Sequence, residues 1–245
     1  MKSEHPIIFS GEMVRAILDG RKTQTRRIIH KSHFPDGSFA DAIYPAADTG
    51  WISWQGAVKP GPHLAEFTKQ QYRTGWPCPY GVPGDLLWVR ETWRAEELPV
   101  FGEDGIRYKA DGVFIPIGNS REASDRWAAA RGDSPVETWR SPIHMPRWAS
   151  RITLEIVSIR VERVQEISEG DAEAEGCCIA AGGCCERCNG NGHNHTWPDG
   201  CPDCKGTKHF ARGYYQTLWE SLNARRGFPW ASNPWTWVIE FRRKS

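Results

Sequence analysis

SGEMVRAILDG (residues 10–20) runs straight into RKTQTRRII (residues 21–29), and the change of period between the two strings sets the reading of everything around them. In the first, Met13, Val14, Ile17 and Leu18 recur at helical spacing, with Ser10 placed to cap the start and Gly20 to stop the end. In the second, polar and β-branched residues alternate, which predicts a turn into a strand. A short amphipathic helix therefore delivers the chain, through one glycine, to a run rich in cationic and hydroxyl side chains.

Further along, GVPGDLLWVRETW (residues 81–93) predicts a tight Pro-Gly-Asp turn followed by a strand over Leu86–Arg90. A second short strand is expected over Ile106–Ala110 and a short helix around Asp125–Ala130. RITLEIVSIRVERV (residues 151–164) alternates, giving Ile152, Leu154, Ile156, Ile159 and Val161 to the core with a change of phase near Ser158. Ser168–Gly176 reads as a short helix capped by Ser168 with Asp171 three residues on, Tyr214–Asn223 as another helix, and Trp235–Phe241 as a closing strand. Residues 31–77 and 112–140 hold no sustained period and are read as loop insertions. Strands separated by short helices and long loops predict an α+β, mainly β, compact barrel in preference to a doubly wound sheet. No GxGxxG or P-loop string accompanies a strand and helix.

The bulk composition narrows the class. A chain of 245 residues, 39% hydrophobic, can bury a sizeable core. No run of 18 apolar residues occurs, and MKSEHPIIFSG at the start lacks the apolar stretch of a secretory signal, so a cytoplasmic protein without a membrane partner is expected. Lys+Arg 31 against Asp+Glu 30 leaves a net charge of +1, so any phosphate-binding surface must be local. Arg21, Lys22, Arg26 and Arg27 form one such cluster, and Arg242, Arg243 and Lys244 another; the plain alternative for both is a solvated face. Thirteen Trp, many beside Pro or Gly, suggest an aromatic-lined cleft as well as core.

Seven of the eight cysteines fall between Cys177 and Cys204, a clustering that suits metal binding under reducing conditions. Cys185, Cys188, Cys201 and Cys204 form a CxxC-x12-CxxC pattern within a zinc-binding insertion at 182–209. Four thiolates in two knuckles can enclose Zn(II) tetrahedrally, and such closed sites are structural. The glycines after each pair, Gly190, Gly192 and Gly206, let amides approach the sulfurs, and the string resembles one zinc unit of the CxxCxGxG repeats of DnaJ-type cochaperones. A merely reduced or redox-active cluster is the competing reading; Cys177, Cys178 and Cys184 are further thiols, and His193, His195 or His209 can replace one ligand.

Ile17-Leu18-Asp19-Gly20-Arg21-Lys22-Thr23-Gln24-Thr25-Arg26-Arg27 resembles the signature of the ASCH domain, a member of the PUA-like group. Pro83-Gly84-Asp85 leading into Leu87-Trp88-Val89, the strand Ile152–Ile159, the helix start Ile167-Ser168-Glu169 and the closing Val238-Ile239-Glu240-Phe241 add to the likeness. The pieces Leu87–Trp93 and His144–Arg151 are similar to long ASCH proteins encoded by bacteriophages and prophages. The resemblance implies a single PUA-like β-barrel over 1–245 that holds a nucleobase or nucleotide.

Within that family, the bacterial amidohydrolases that deacetylate N4-acetylcytidine share the GRKTxT string, which puts their Lys and Thr on Lys22 and Thr25. Their catalytic Glu falls on Glu175 in Ala172-Glu173-Ala174-Glu175. The ASCH signature more often carries Glu where Thr25 stands, a departure that favours hydrolase-like chemistry. A threonine hydroxyl needs a base, Lys22 can supply one if desolvation frees its amine, and Glu175 can relay protons. Positions 22 and 25 face opposite sides of an ideal strand, so convergence requires a bend after Gly20. Trp88 or Trp93 would stack on a base, and Arg21, Arg26, Arg27, Arg90 and Glu91 would contact the substrate, a modified nucleoside or single-stranded RNA or DNA. The alternatives are a non-catalytic RNA- or DNA-binding module and a phage assembly protein. In plain structural terms Thr25 is a strand residue, Lys22 a charge at a helix end, Glu175 a solvated helix residue and the two tryptophans core.

Overall fold

The computed structural model describes residues 2–30, 43–45, 51–54, 76–98, 103–118, 120–131, 138–177 and 211–244. Its strands are β1 (Glu4–Ile8), β2 (Gln24–Ile28), β3 (Ile43–Pro45), β4 (Trp51–Trp54), β5 (Trp76–Pro77), β6 (Leu86–Arg90), β7 (Trp93–Leu98), β8 (Glu103–Tyr108), β9 (Phe114–Pro116), β10 (Thr153–Arg163) and β11 (Trp235–Arg243). Its helices are α1 (Gly11–Leu18), α2 (Arg121–Arg131), α3 (Glu169–Ala174) and α4 (Ala211–Asn223), joined by several single 3-10 turns. None of the described helices is long and apolar enough to cross a membrane.

The chain divides into two compact units, each assembled from separated segments. The first comprises Met1–Gly20, Leu86–Glu155 and Arg243–Ser245. Here β1 lies parallel to β6, Glu4 opposite Leu86 and Ile8 opposite Arg90, and the start of β10 lies antiparallel on the other side of β6. β7, β8 and β9 form an antiparallel meander over a core of Trp93, Ala95, Ile106, Tyr108, Trp127, Met145 and Ala149. Ser10 accepts a hydrogen bond from the Met13 amide and so caps α1, whose Val14, Ala16 and Ile17 are buried, as the spacing predicts.

The second unit comprises Arg21–Asp85 and Ile156–Arg242. β11 pairs antiparallel with β2, Ile239 opposite Thr25 and Glu240 opposite Gln24, and β10 lies on the other side of β11. β10 carries the predicted change of phase: Leu154 and Ile156 are buried, Val157 is exposed, and burial resumes at Ile159 and Val161. α3 packs on α4 around Val164, Ile167, Ala172, Cys177, Ala211, Tyr215 and Trp219.

The architecture is α+β and mainly β, but among the described residues no sheet closes on itself, so the expected barrel is not formed by them. The two stretches read as insertions carry some regular structure: β3, β4 and β5 form a small antiparallel sheet within 31–77, and β9 and α2 lie within 112–140.

Candidate functional site

Two helices end on glycines in the left-handed region. Gly20 (φ 75°) ends α1, and its amide bonds the Ile17 carbonyl at 3.1 Å. Gly176 (φ 90°) ends α3 in a Schellman arrangement, the Gly176 amide bonding the Glu173 carbonyl at 2.8 Å and the Cys177 amide that of Ala172 at 3.1 Å. Glu175 is thereby fixed as the C-cap of α3, and the Thr23 amide bonds the neighbouring Ala174 carbonyl at 2.8 Å. Lys22 and Glu175 form an isolated antiparallel bridge, so a backbone contact brings together residues 153 positions apart.

Their side chains meet as well. Lys22 Nζ donates to Glu175 Oε2 at 2.7 Å and to the Glu175 carbonyl at 2.8 Å, with side-chain exposures of 0% and 4%. Arg26, also buried, reaches the same carboxylate, Nη1 lying 3.5 Å from Glu175 Oε1. Its Nη2 is held at 2.8 Å by Glu162 and at 3.3 Å by Asp171. Arg160 ties these two carboxylates together, at 2.5 Å to Glu162 and 2.7 Å to Asp171, and also pairs with Glu240. Glu175 Oε1, Arg26 Nε and Nη1, and Gln24 Nε2 are enclosed without a hydrogen bond among the described residues.

Burial pulls the Lys22 ammonium below its ordinary value, and the field and hydrogen bond of Glu175 pull the other way. Burial likewise lowers Arg27, half-buried on β2, against the fields of Tyr80, Glu175 and Tyr215. Tyr215 of α4 is pushed well up by burial and by Glu175. Asp171 feels burial upward, but hydrogen bonds from Ser168 and the cations Arg26 and Arg160 win and hold it below the usual carboxylate range. Of the pair, the buried amine is the group whose surroundings favour release of a proton, and the carboxylate lies within hydrogen-bond reach of it.

The structure thus joins Lys22 and Glu175. Thr25 is buried on β2, one residue before Arg26, and its hydroxyl makes no hydrogen bond to either among the described residues. Arg21 donates to the Gly176 carbonyl at 3.4 Å. Arg26, read from sequence as a substrate contact, is spent instead on three carboxylates. Glu162, Asp171 and Tyr215 were not foreseen at this site. The alternation of Arg160 and Glu162 with the buried residues of β10 is the sequence sign of the first, and Asp171 reads from sequence only as a helix-start residue.

The remaining residues read as substrate contacts lie in the first unit. Trp93 is 1% exposed in the core beside Arg140, leaving no open face on which a base can stack. Glu91, also 1% exposed, is gripped by both ends of Arg151 at 2.9 and 3.0 Å, a structural ion pair. Trp88 is 8% exposed with Arg90 over its ring at 4.6 Å and Arg147 at 5.9 Å. This unit also holds a cleft of about 230 Å³ lined by Tyr108, Ile115, Ile117, Arg126 and Trp148 among others, none of which the sequence had suggested. Cys185, Cys188, Cys201 and Cys204 lie outside the described residues. Comparison with family models, with curated proteins and with solved structures finds no match for this chain.

Proposed function

We propose that the second unit is the working part of an ASCH, PUA-like nucleobase-recognising protein that hydrolyses the amide of N4-acetylcytidine-like nucleosides. The observation that carries this reading is the buried Lys22–Glu175 pair at 2.7 Å, the second carboxylate oxygen lying 3.5 Å from Arg26 and without a hydrogen bond among the described residues. In the reaction the amide carbon gains an oxygen and its bond to the exocyclic nitrogen breaks. That nitrogen takes up a proton and leaves as the amino group of cytidine. The Thr25 hydroxyl attacks the carbonyl carbon, Lys22 and Glu175 pass its proton to the leaving nitrogen, and a water molecule then hydrolyses the acetyl ester, releasing acetate and restoring the hydroxyl.

Incubating the purified chain with N4-acetylcytidine and following its ultraviolet absorbance tests the proposal. Absorbance falls with wild type, and Lys22→Ala, Thr25→Ala and Glu175→Gln each lower the rate by about a hundredfold or more. Folded wild-type protein that binds the nucleoside without consuming it returns the chain to a recognition role.

We further propose that Cys185, Cys188, Cys201 and Cys204 hold a structural zinc, a donor set of four soft thiolates that fits this ion. Protein prepared without chelator carries about one equivalent of zinc, and a content below about half an equivalent removes the site.

A further inference from the structure

Lys22, Gln24 and Arg26 alternate along one stretch of chain, and the first and third reach opposite oxygens of one carboxylate, at 2.7 and 3.5 Å. Arg26 has no freedom to serve anything else. Its other nitrogen is clamped by Glu162 and Asp171, which Arg160 holds from behind, and its side chain is fully buried. A guanidinium so enclosed cannot reach a phosphate in solvent, yet it stands where its charge acts on Glu175 and, through it, on Lys22.

We infer that Arg26 is the positioning residue of this site: held by Glu162 and Asp171, it fixes Glu175 opposite Lys22 and sets the pH at which Lys22 gives up its proton. The inference rests on Lys22 and Glu175 being the working pair of the proposed reaction. The charged and titratable groups that face the pair are Arg26 and Arg27 from β2, Glu162 from β10, Asp171 from α3, Tyr215 from α4 and Cys177 just beyond α3. Removing the Arg26 cation leaves more of the Glu175 charge to Lys22, which holds the ammonium more firmly. Neutralising Glu162 takes an anion away and has the opposite sign.

The test follows the Lys22 side chain by NMR of the full chain labelled with ¹³Cε-lysine, its signal identified by loss in Lys22→Met, as pH is raised. Arg26→Met moves the Lys22 midpoint up by about one unit. Glu162→Gln moves it down by a smaller step, and Arg26→Lys leaves it near wild type. With N4-acetylcytidine at neutral pH, Arg26→Met lowers kcat about tenfold with KM unchanged, because the residue does not touch substrate. A Lys22 midpoint that stays put in folded Arg26→Met, or a loss that falls on KM, overturns the inference. If Arg26→Met does not fold, Glu162→Gln decides, and no downward shift there overturns it equally. Wild-type protein with no turnover sinks the hydrolase reading alone, since the Lys22 titration reads Arg26 without substrate.

Discussion

Glu91 shows what burial does to one carboxylate and what it asks of its neighbours. Arg151 bonds both of its oxygens, reaches Asp111 at 2.8 and 3.0 Å, and lays its guanidinium 4.1 Å from the Tyr108 ring. Burial still raises Glu91 above 4.5 against the pull of Arg151. Removing one partner of such a pair leaves an uncompensated charge, so Arg151→Met costs about 3 kcal/mol in denaturant unfolding at pH 7. The pH dependence follows from the direction of the shift. A carboxyl raised in the folded state contributes stability that is present below its unfolded value near 4.5 and is lost as pH rises through the folded value. Arg151→Met is therefore less destabilised at pH 5 than at pH 7, and adding Glu91→Gln removes the difference. Equal loss at both pH values shows that the carboxylate is not the source of the cost.

The elements that position the site are short, and their ends decide where functional groups fall. α3 has six residues, begins with Ser168 and Asp171 capping each other, and finishes at Glu175 only because Gly176 adopts φ 90°. Gly176→Ala forces a side chain into the left-handed region at a cost of about 1–2 kcal/mol. It also tilts Glu175 away from Lys22 and, under the proposed hydrolysis, lowers turnover of N4-acetylcytidine about tenfold or more, beyond what the stability loss accounts for. Activity that tracks stability alone counts against this link. The ends of α1, α3 and β6 were legible in sequence because Ser10, Ser168, Gly20 and Pro83-Gly84-Asp85 act locally. β1 and β7 were not. EHPII gains its strand from pairing with β6, more than 75 residues on, which no local pattern announces. WRAEEL has weak strand propensity and is held by β8, where Arg107 grips Glu96 at 2.6 Å.

At the scale of the whole molecule, both units are built from segments far apart in sequence, so the pairing of residue 22 with residue 175 was reachable only through the ASCH resemblance, and the carboxylates that claim Arg26 were not reachable at all. That pairing bears on the choice between a nucleoside and a polymer. The chain carries a net charge of +1, and Arg26, Arg151 and Arg160 are committed to internal carboxylates. A polynucleotide binder draws affinity from phosphates neutralised by uncommitted cations, and each contact on a single strand steepens the dependence of log K on log salt by about 0.7. If the substrate is a free nucleoside, with about two phosphates engaged at most, any affinity of this chain for a single-stranded oligonucleotide falls with salt at a slope no steeper than about −1.5. Fluorescence anisotropy between about 50 and 200 mM salt measures it. A slope of about −4 or beyond requires about six or more phosphate contacts, and moves the proposed substrate of the Lys22–Glu175 site from a free nucleoside to a base within a strand.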